Sequence, residues 1–159
     1  MKKVILIIIL FITLFLVSCK TDNEEIIDEE GQKNPGDIDL EDDNIMKINV
    51  LVNGRMLEAT LEDNIAAEEF YNMIGDGLTL ELEEYGGFEK VGSLGRSLSS
   101  SDSSIKASPG DLILYRSSEF SLMYGTNTWS YTRLGHIDKT KSELLEILGS
   151  EDVVVQITK

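Results

Sequence analysis

Cysteine and histidine are almost missing from this sequence: its 159 residues hold one of each, Cys19 and His136, and only two prolines. One Cys excludes an internal disulfide and a Cys-based zinc site, and one His leaves at most a single imidazole for a nucleophile or a metal. Basic residues are scarce too, 14 Lys and Arg against 29 Asp and Glu, for a formal net charge of −15. Binding to nucleic acid without regard to sequence needs clustered cations that displace counterions from phosphates, so that class is excluded. Neither Gly75-Asp76-Gly77 nor Gly92-Ser93-Leu94-Gly95 is followed by Gly-Lys-Ser/Thr, so both read as turns rather than phosphate loops. Serine catalysis would need a positioned Ser that no Gly-x-Ser-x-Gly elbow supplies, and His136 reads as an exposed strand residue. No cofactor and no metal are expected.

What is present begins with a short basic start, Met1 to Lys3, and a run from Val4 to Val17 that is apolar apart from Thr13. A bilayer core needs about 20 apolar residues, so this run has the length of a signal-peptide core rather than of a comfortable span. It closes with Leu16-Val17-Ser18-Cys19, which resembles the lipobox of bacterial lipoproteins. That resemblance implies that residues 1–18 are a signal peptide and that Cys19 becomes the acylated first residue of the mature chain. Lipid there would anchor the chain to the bacterial envelope membrane on its extracytoplasmic side without spanning it.

Residues 19–45 read as an acidic tether. From Lys20 to Asn44 there are eleven Asp or Glu against two Lys, a net of −9, with no aromatic residue and a Pro35-Gly36 break. Few apolar groups and self-repelling charge cannot offset the entropy of ordering, so a disordered spacer is expected. No EF-hand spacing occurs in it.

Residues 46–159 read as one domain, long enough for a single core and carrying a net charge of −8. Ile48, Val50 and Val52 alternate with Lys47, Asn49 and Leu51, and Leu57, Ala59 and Leu61 alternate after Asn53-Gly54. Asn-Gly between two such runs predicts a hairpin, because both residues tolerate positive φ. Asp63 or Asn64 can cap a helix running to Ile74 and stopped by Gly75, and Thr140-Lys141-Ser142-Glu143 is a capping-box pattern for a second helix stopped by Gly149. Strand patterns fall at Leu78–Glu83, Asp111–Tyr115, Phe120–Tyr124, Trp129–Ile137 with a bend at Gly135, and Val153–Ile157. Half of the residues from Ser93 to Ser108 are Ser, which predicts a long mobile loop or a short Ser-rich excursion. Many short strands between two helices predict a mainly β fold, a closed antiparallel barrel capped by two helices.

The second half carries a more particular pattern: Pro109-Gly110-Asp111-Leu112-Ile113-Leu114-Tyr115, then Phe120 to Gly125, then Asn127-Thr128-Trp129-Ser130-Tyr131-Thr132-Arg133-Leu134-Gly135-His136-Ile137. It resembles the bacterial cyclophilin-like domain family, over essentially all of residues 46–159. The resemblance implies a barrel of about eight strands related in fold to peptidyl-prolyl isomerases. In the isomerases an Arg in a Phe-His-Arg-Val strand polarises the prolyl amide and a Gln-rich segment follows. Here the matching segment is Phe88-Glu89-Lys90-Val91, with Lys90 at the Arg position and Arg96 near the place of the Gln. Lys offers a hydrated point charge where a planar fork is needed, which argues against efficient isomerase chemistry. Read as a strand residue, Lys90 would face solvent.

Phe120, Met123, Tyr124, Trp129 and Tyr131 cluster on neighbouring strands, with Phe120, Leu122 and Tyr124 on one face and Trp129, Tyr131 and Arg133 on one face of the next. They can be barrel packing. A sharper reading makes them the wall of a groove for a peptide or small ligand, with the Tyr hydroxyls, Asn127 and Arg133 as polar handles. The expectation is a membrane-anchored binding module built on a cyclophilin-like barrel. The rival is a working prolyl isomerase on secreted or envelope proteins, in which Lys90 or Arg96 polarises the amide and Phe120, Met123 and Trp129 hold the ring.

Overall fold

A computed structural model describes residues 45–159. The expected signal segment, Cys19 and the tether as far as Asn44 lie outside the described residues.

The chain runs through β1 (Lys47–Val52), β2 (Arg55–Leu61), α1 (Ile65–Ile74), β3 (Leu78–Tyr85), β4 (Glu89–Ser93), β5 (Ser103–Ala107), β6 (Asp111–Tyr115), β7 (Glu119–Met123), β8 (Asn127–His136), α2 (Lys141–Leu148) and β9 (Val153–Thr158). Local chemistry accounts for most boundaries. Asn53 and Gly54 both take positive φ, 49° and 74°, which turns β1 back onto β2 in register from Val52↔Arg55 to Lys47↔Thr60. Asn64 caps α1 by accepting the Ala67 N–H at 2.9 Å, and its amide donates to the Arg133 carbonyl at 2.9 Å, tying the helix start to β8. Thr140 and Glu143 form the reciprocal capping box of α2. Gly75 and Gly149 end the two helices.

The sheet order is β2-β1-β9-β3-β4-β7-β6-β8-β5, every pair antiparallel, with an additional pairing of β2 to β8. That pairing closes eight strands into a ring, which is the expected barrel. Closure is made at Gly135, opposite Leu61 of β2 on one side and Leu112 of β6 on the other. A Cβ there would lie 2.6 Å from the Thr60 carbonyl oxygen, so the seam needs a glycine.

The ninth strand corrects the reading of the Ser-rich segment as a loop. Ser103–Ala107 is β5, paired along the first half of β8 from Ser103↔Tyr131 to Ala107↔Asn127. Serine is a weak strand former, but Ile105 and Ala107 supply alternate apolar contacts. The preceding serines also find partners: Ser99 donates to Glu69 through both its N–H and its hydroxyl, and the Ser101 N–H donates to Thr132 Oγ1.

The interior face is filled by Ile48, Val50, Leu82, Leu112, Leu114, Phe120, Leu122, Leu134 and Val155, with Phe70 of α1 and Leu144 and Leu148 of α2 joining the same cluster. A second, smaller cluster joins Ala107, Ile113, Met123 and Tyr131, with Phe88, Ile105 and Tyr115 packed against it. Ile113 and Met123 follow the inward-facing Leu112 and Leu122, so by strand alternation this cluster lies on the outside of the ring. It is roofed by β5 and the first half of β8. The outer wall of β6 and β7 is therefore buried rather than solvated, and one side of that burial remains open.

Candidate functional site

The open side is a cleft of about 580 Å³ lined by Tyr85, Phe88, Glu89, Val91, Tyr115, Arg116, Glu119, Asn127, Trp129 and Tyr131. Each element brings its contribution for a local reason. The β3–β4 hairpin turns through Gly86 and Gly87, both at positive φ, which sets Tyr85 and Phe88 edge to face with ring centroids 6.0 Å apart. The Phe88 carbonyl accepts the Tyr124 and Gly125 N–H groups at 2.9 and 2.8 Å, pinning the hairpin to the end of β7. The β6–β7 turn carries Arg116 and Ser117 at φ 49° and 63°, and the Arg116 guanidinium lies 5.0 Å from the centroid of the Tyr115 ring. Tyr115 in turn meets Tyr131 edge to face at 5.9 Å. Asn127 donates to the Tyr131 hydroxyl at 2.8 Å, and Trp129, 57% exposed, stands at the open edge.

The floor holds a carboxyl. Glu89 is only 7% exposed, and its Oε2 has no hydrogen-bond partner among the described residues. Burial pushes this carboxyl above the ordinary range and the Glu84 charge adds to the rise, against a lowering hydrogen bond from Ser121. The Tyr131 hydroxyl is pushed up as well, by burial first and then by the charge of Glu89. A slightly larger hollow, about 640 Å³, adjoins along β3, β4 and β9 and shares Val91 and Glu119 with the cleft. Its wall carries Glu81, Glu83 and Asp152 but no aromatic side chain.

The residues expected from sequence are distributed over several places. Asn127, Trp129 and Tyr131 line the cleft together. Phe120 and Met123 are fully buried and Tyr124 nearly so, Phe120 stacked on Phe70 inside the ring and Met123 beneath the cleft in the outer cluster. Arg133 shares the outer face with Tyr131 but points to Asp111, Nη2 to Oδ2 at 3.0 Å, and His136 Nδ1 lies 2.9 Å from the other oxygen of that buried carboxylate. These contacts join β8 to β6. Arg96 is exposed on the segment after β4, away from the cleft lining.

Lys90 corrects the expectation of a solvent-facing strand residue. It is 0% exposed, and its register neighbours Glu84 and Leu122 put it on the inner face of the ring. There its Nζ lies 2.8 Å from Glu84 Oε2 and donates to the Glu151 carbonyl at 2.7 Å, while Tyr124 donates its hydroxyl to Glu84 Oε1 at 2.5 Å. Burial pushes Glu84 up, but hydrogen bonds from Lys90, Tyr124 and the Gly87 N–H hold it below its ordinary value overall. Tyr124 is pushed well above the usual phenol range by burial and by the Glu84 carboxylate. Strand alternation then turns Glu89 and Val91, not Lys90, toward the cleft.

Sequence reasoning passed over Tyr85, Phe88, Glu89, Tyr115 and Arg116 as site residues. Tyr85 and Phe88 flank a Gly-Gly turn, and Tyr115 ends a strand beside Arg116, so aromatic residues next to turns were an available signal. Nothing in the spacing shows that two such turns meet over one wall.

Among the described residues no group of three or more His, Cys, Asp or Glu is placed to hold a metal ion, and no helix is long and apolar enough to cross a membrane. No curated protein matches the chain. Residues 50–158, which span the ring from β1 to β9, the two helices and the cleft, match the Cyclophilin-like family, and the chain belongs to that family.

Proposed function

We propose that this chain is an extracytoplasmic lipoprotein whose cyclophilin-like barrel serves as a binding module, taking a peptide or small ligand in the aromatic cleft without efficient isomerase chemistry. The observation that carries the reading is the open cleft itself: Trp129 and Tyr85, 57% and 59% exposed, stand over a buried aromatic wall instead of packing into it. Concave apolar sites with a few placed polar groups are where small ligands and peptide side chains bind. Lys90, the cation nominated to polarise a prolyl amide, is held by Glu84 and the Glu151 carbonyl on the other face of its strand.

The test is an array of immobilised peptides probed with the full chain and with Trp129→Ala. Some peptides should retain the native protein, and the variant should lose them while its stability changes by less than about 0.5 kcal/mol, as for other exposed side chains. Equal retention by the variant would overturn the cleft as the site. In a coupled assay, prolyl isomerisation should not exceed background at high protein concentration; turnover that vanishes in Arg96→Ala, or in Lys90→Met while that variant keeps its native fold, would establish the rival activity instead.

Anchoring rests on the lipobox-like Leu16-Val17-Ser18-Cys19. Cys19→Ala should abolish palmitate labelling and either release the chain from the membrane fraction or leave the precursor unprocessed. Labelling that persists in the variant would refute acylation at that residue.

A further inference from the structure

We infer that the aromatic cleft takes an alkylammonium group, the side-chain cation of a lysine or a free amine, held between the ring faces and the Glu89 carboxylate. The inference rests on the cleft being a binding site and names the chemistry of its ligand.

Three independent features point the same way. The walls are aromatic, with Tyr85, Phe88, Tyr115, Trp129 and Tyr131 all lining the cleft, and rings attract cations when water is excluded. The cleft already holds one cation in that manner, since the Arg116 guanidinium lies 5.0 Å from the Tyr115 centroid. Second, the floor holds Glu89, a residue only 7% exposed, whose Oε2 is unpartnered among the described residues. Buried polar groups are nearly always satisfied, and an unsatisfied one is costly to hold, so a carboxyl with one unpartnered oxygen in the floor of the cleft is suited to a donor brought by a ligand. A protonated amine supplies both the charge and three N–H donors.

Third, the surroundings are acidic. Arg116 is the one basic side chain lining the cleft or the adjoining hollow, against Glu81, Glu83, Glu89, Glu119 and Asp152. A carboxylate ligand would meet repulsion from nearly every direction. A cation would be drawn along the acidic hollow toward the rings, and clefts lined by one sign of charge concentrate ligands of the other.

The single Trp of the chain, Trp129, stands in the cleft and reports binding directly. The full chain in a nonionic detergent is titrated with n-butylammonium, n-butanol and butyrate while its tryptophan emission is followed. Butylammonium should saturate the response with an affinity at least ten-fold above that of butanol, and butyrate should give none. Glu89→Gln should weaken butylammonium ten-fold or more and leave butanol unchanged. Tyr85→Leu keeps an apolar wall but removes a ring, and should weaken butylammonium several-fold without changing butanol; as an exposed substitution it remains informative if Glu89→Gln fails to fold. Nα-acetyl-lysine methylamide distinguishes the sources: tighter binding than butylammonium, lost on Nε-acetylation, would assign a lysine in a peptide, and equal binding a free amine. Butanol or butyrate binding as tightly as butylammonium would overturn the cation assignment while leaving the cleft as a binding site. So would an unchanged butylammonium affinity in both variants. Silence toward all three probes overturns this inference, and only a blank peptide array as well removes the binding reading with it.

Discussion

Lys90→Ala should lower the free energy of unfolding by about 3 to 5 kcal/mol, the range for breaking a buried ion pair by removing one partner. The ammonium is fully buried, pairs with Glu84 at 2.8 Å, donates to the Glu151 carbonyl at 2.7 Å and lies 5.6 Å from the centroid of the Tyr124 ring. Deleting it leaves a carboxylate and a carbonyl at the end of the ring without their donor, together with a void the length of a lysine stem. Lys90→Met keeps the stem and should recover part of the loss, because apolar groups of matching shape often replace buried charge at little cost. Urea unfolding of the three proteins reads both effects, and a loss below about 1 kcal/mol in Lys90→Ala, the range of exposed pairs, would show that the pair is effectively solvated. The same cluster makes a prediction in pH. Glu84 has a lowered folded-state pKa, so its contribution is present above its unfolded value of 4.5 and is lost as pH falls below that value through the folded one. Glu89, adjacent in space but on the cleft side, has a raised one, so its contribution is present below 4.5 and is lost as pH rises through the folded value. Acid melting curves should therefore flatten in Glu84→Gln. Near neutral pH, Glu89→Gln should melt no lower than the native protein.

Phe120→Ala should cost a similar amount, about 3 to 5 kcal/mol, as for other fully buried phenylalanines. Phe120 is 0% exposed and stacks on Phe70 of α1 with centroids 5.4 Å apart and planes at 17°. It joins β7 to the helix at one end of the ring, so the variant loses apolar transfer energy and also the contact that holds α1 in place. Thermal melting should show this as a large drop in midpoint. Butylammonium binding by whatever fraction stays folded should be unchanged, because Phe120 does not line the cleft. A variant with native stability and lost binding would put Phe120 on the cleft wall and overturn the placement.

Much of the fold is legible in the sequence because its elements are locally specified. The Asn53-Gly54 turn, the Asn64 and Thr140 caps and the two glycine stops each act within four residues, so reading them requires no partner elsewhere in the chain. The Ser-rich segment is illegible for the opposite reason. Ser103–Ala107 has little strand propensity of its own and becomes a strand only because β8 offers it an edge and the outer cluster takes Ile105 and Ala107. The site was half legible. Alternation along β8 put Trp129 and Tyr131 on one face, and both line the cleft, but Phe120 and Tyr124 alternate just as cleanly and face the interior.

Periodicity tells which residues share a face, never which face is inside. From its sequence alone this chain is determined to be a mainly β domain with two capped helices, preceded by a lipobox-like segment and an acidic stretch, and without the histidines and cysteines that most metal and nucleophile chemistry needs. Only the tertiary structure decided that Lys90 faces inward and Glu89 outward. Strand register relative to the ring is set by Leu122 and Met123, more than thirty residues away, on the strand that pairs with β4. It is that long-range pairing which buries an ammonium inside the barrel beside a carboxylate and leaves a lone carboxyl under an aromatic wall outside it.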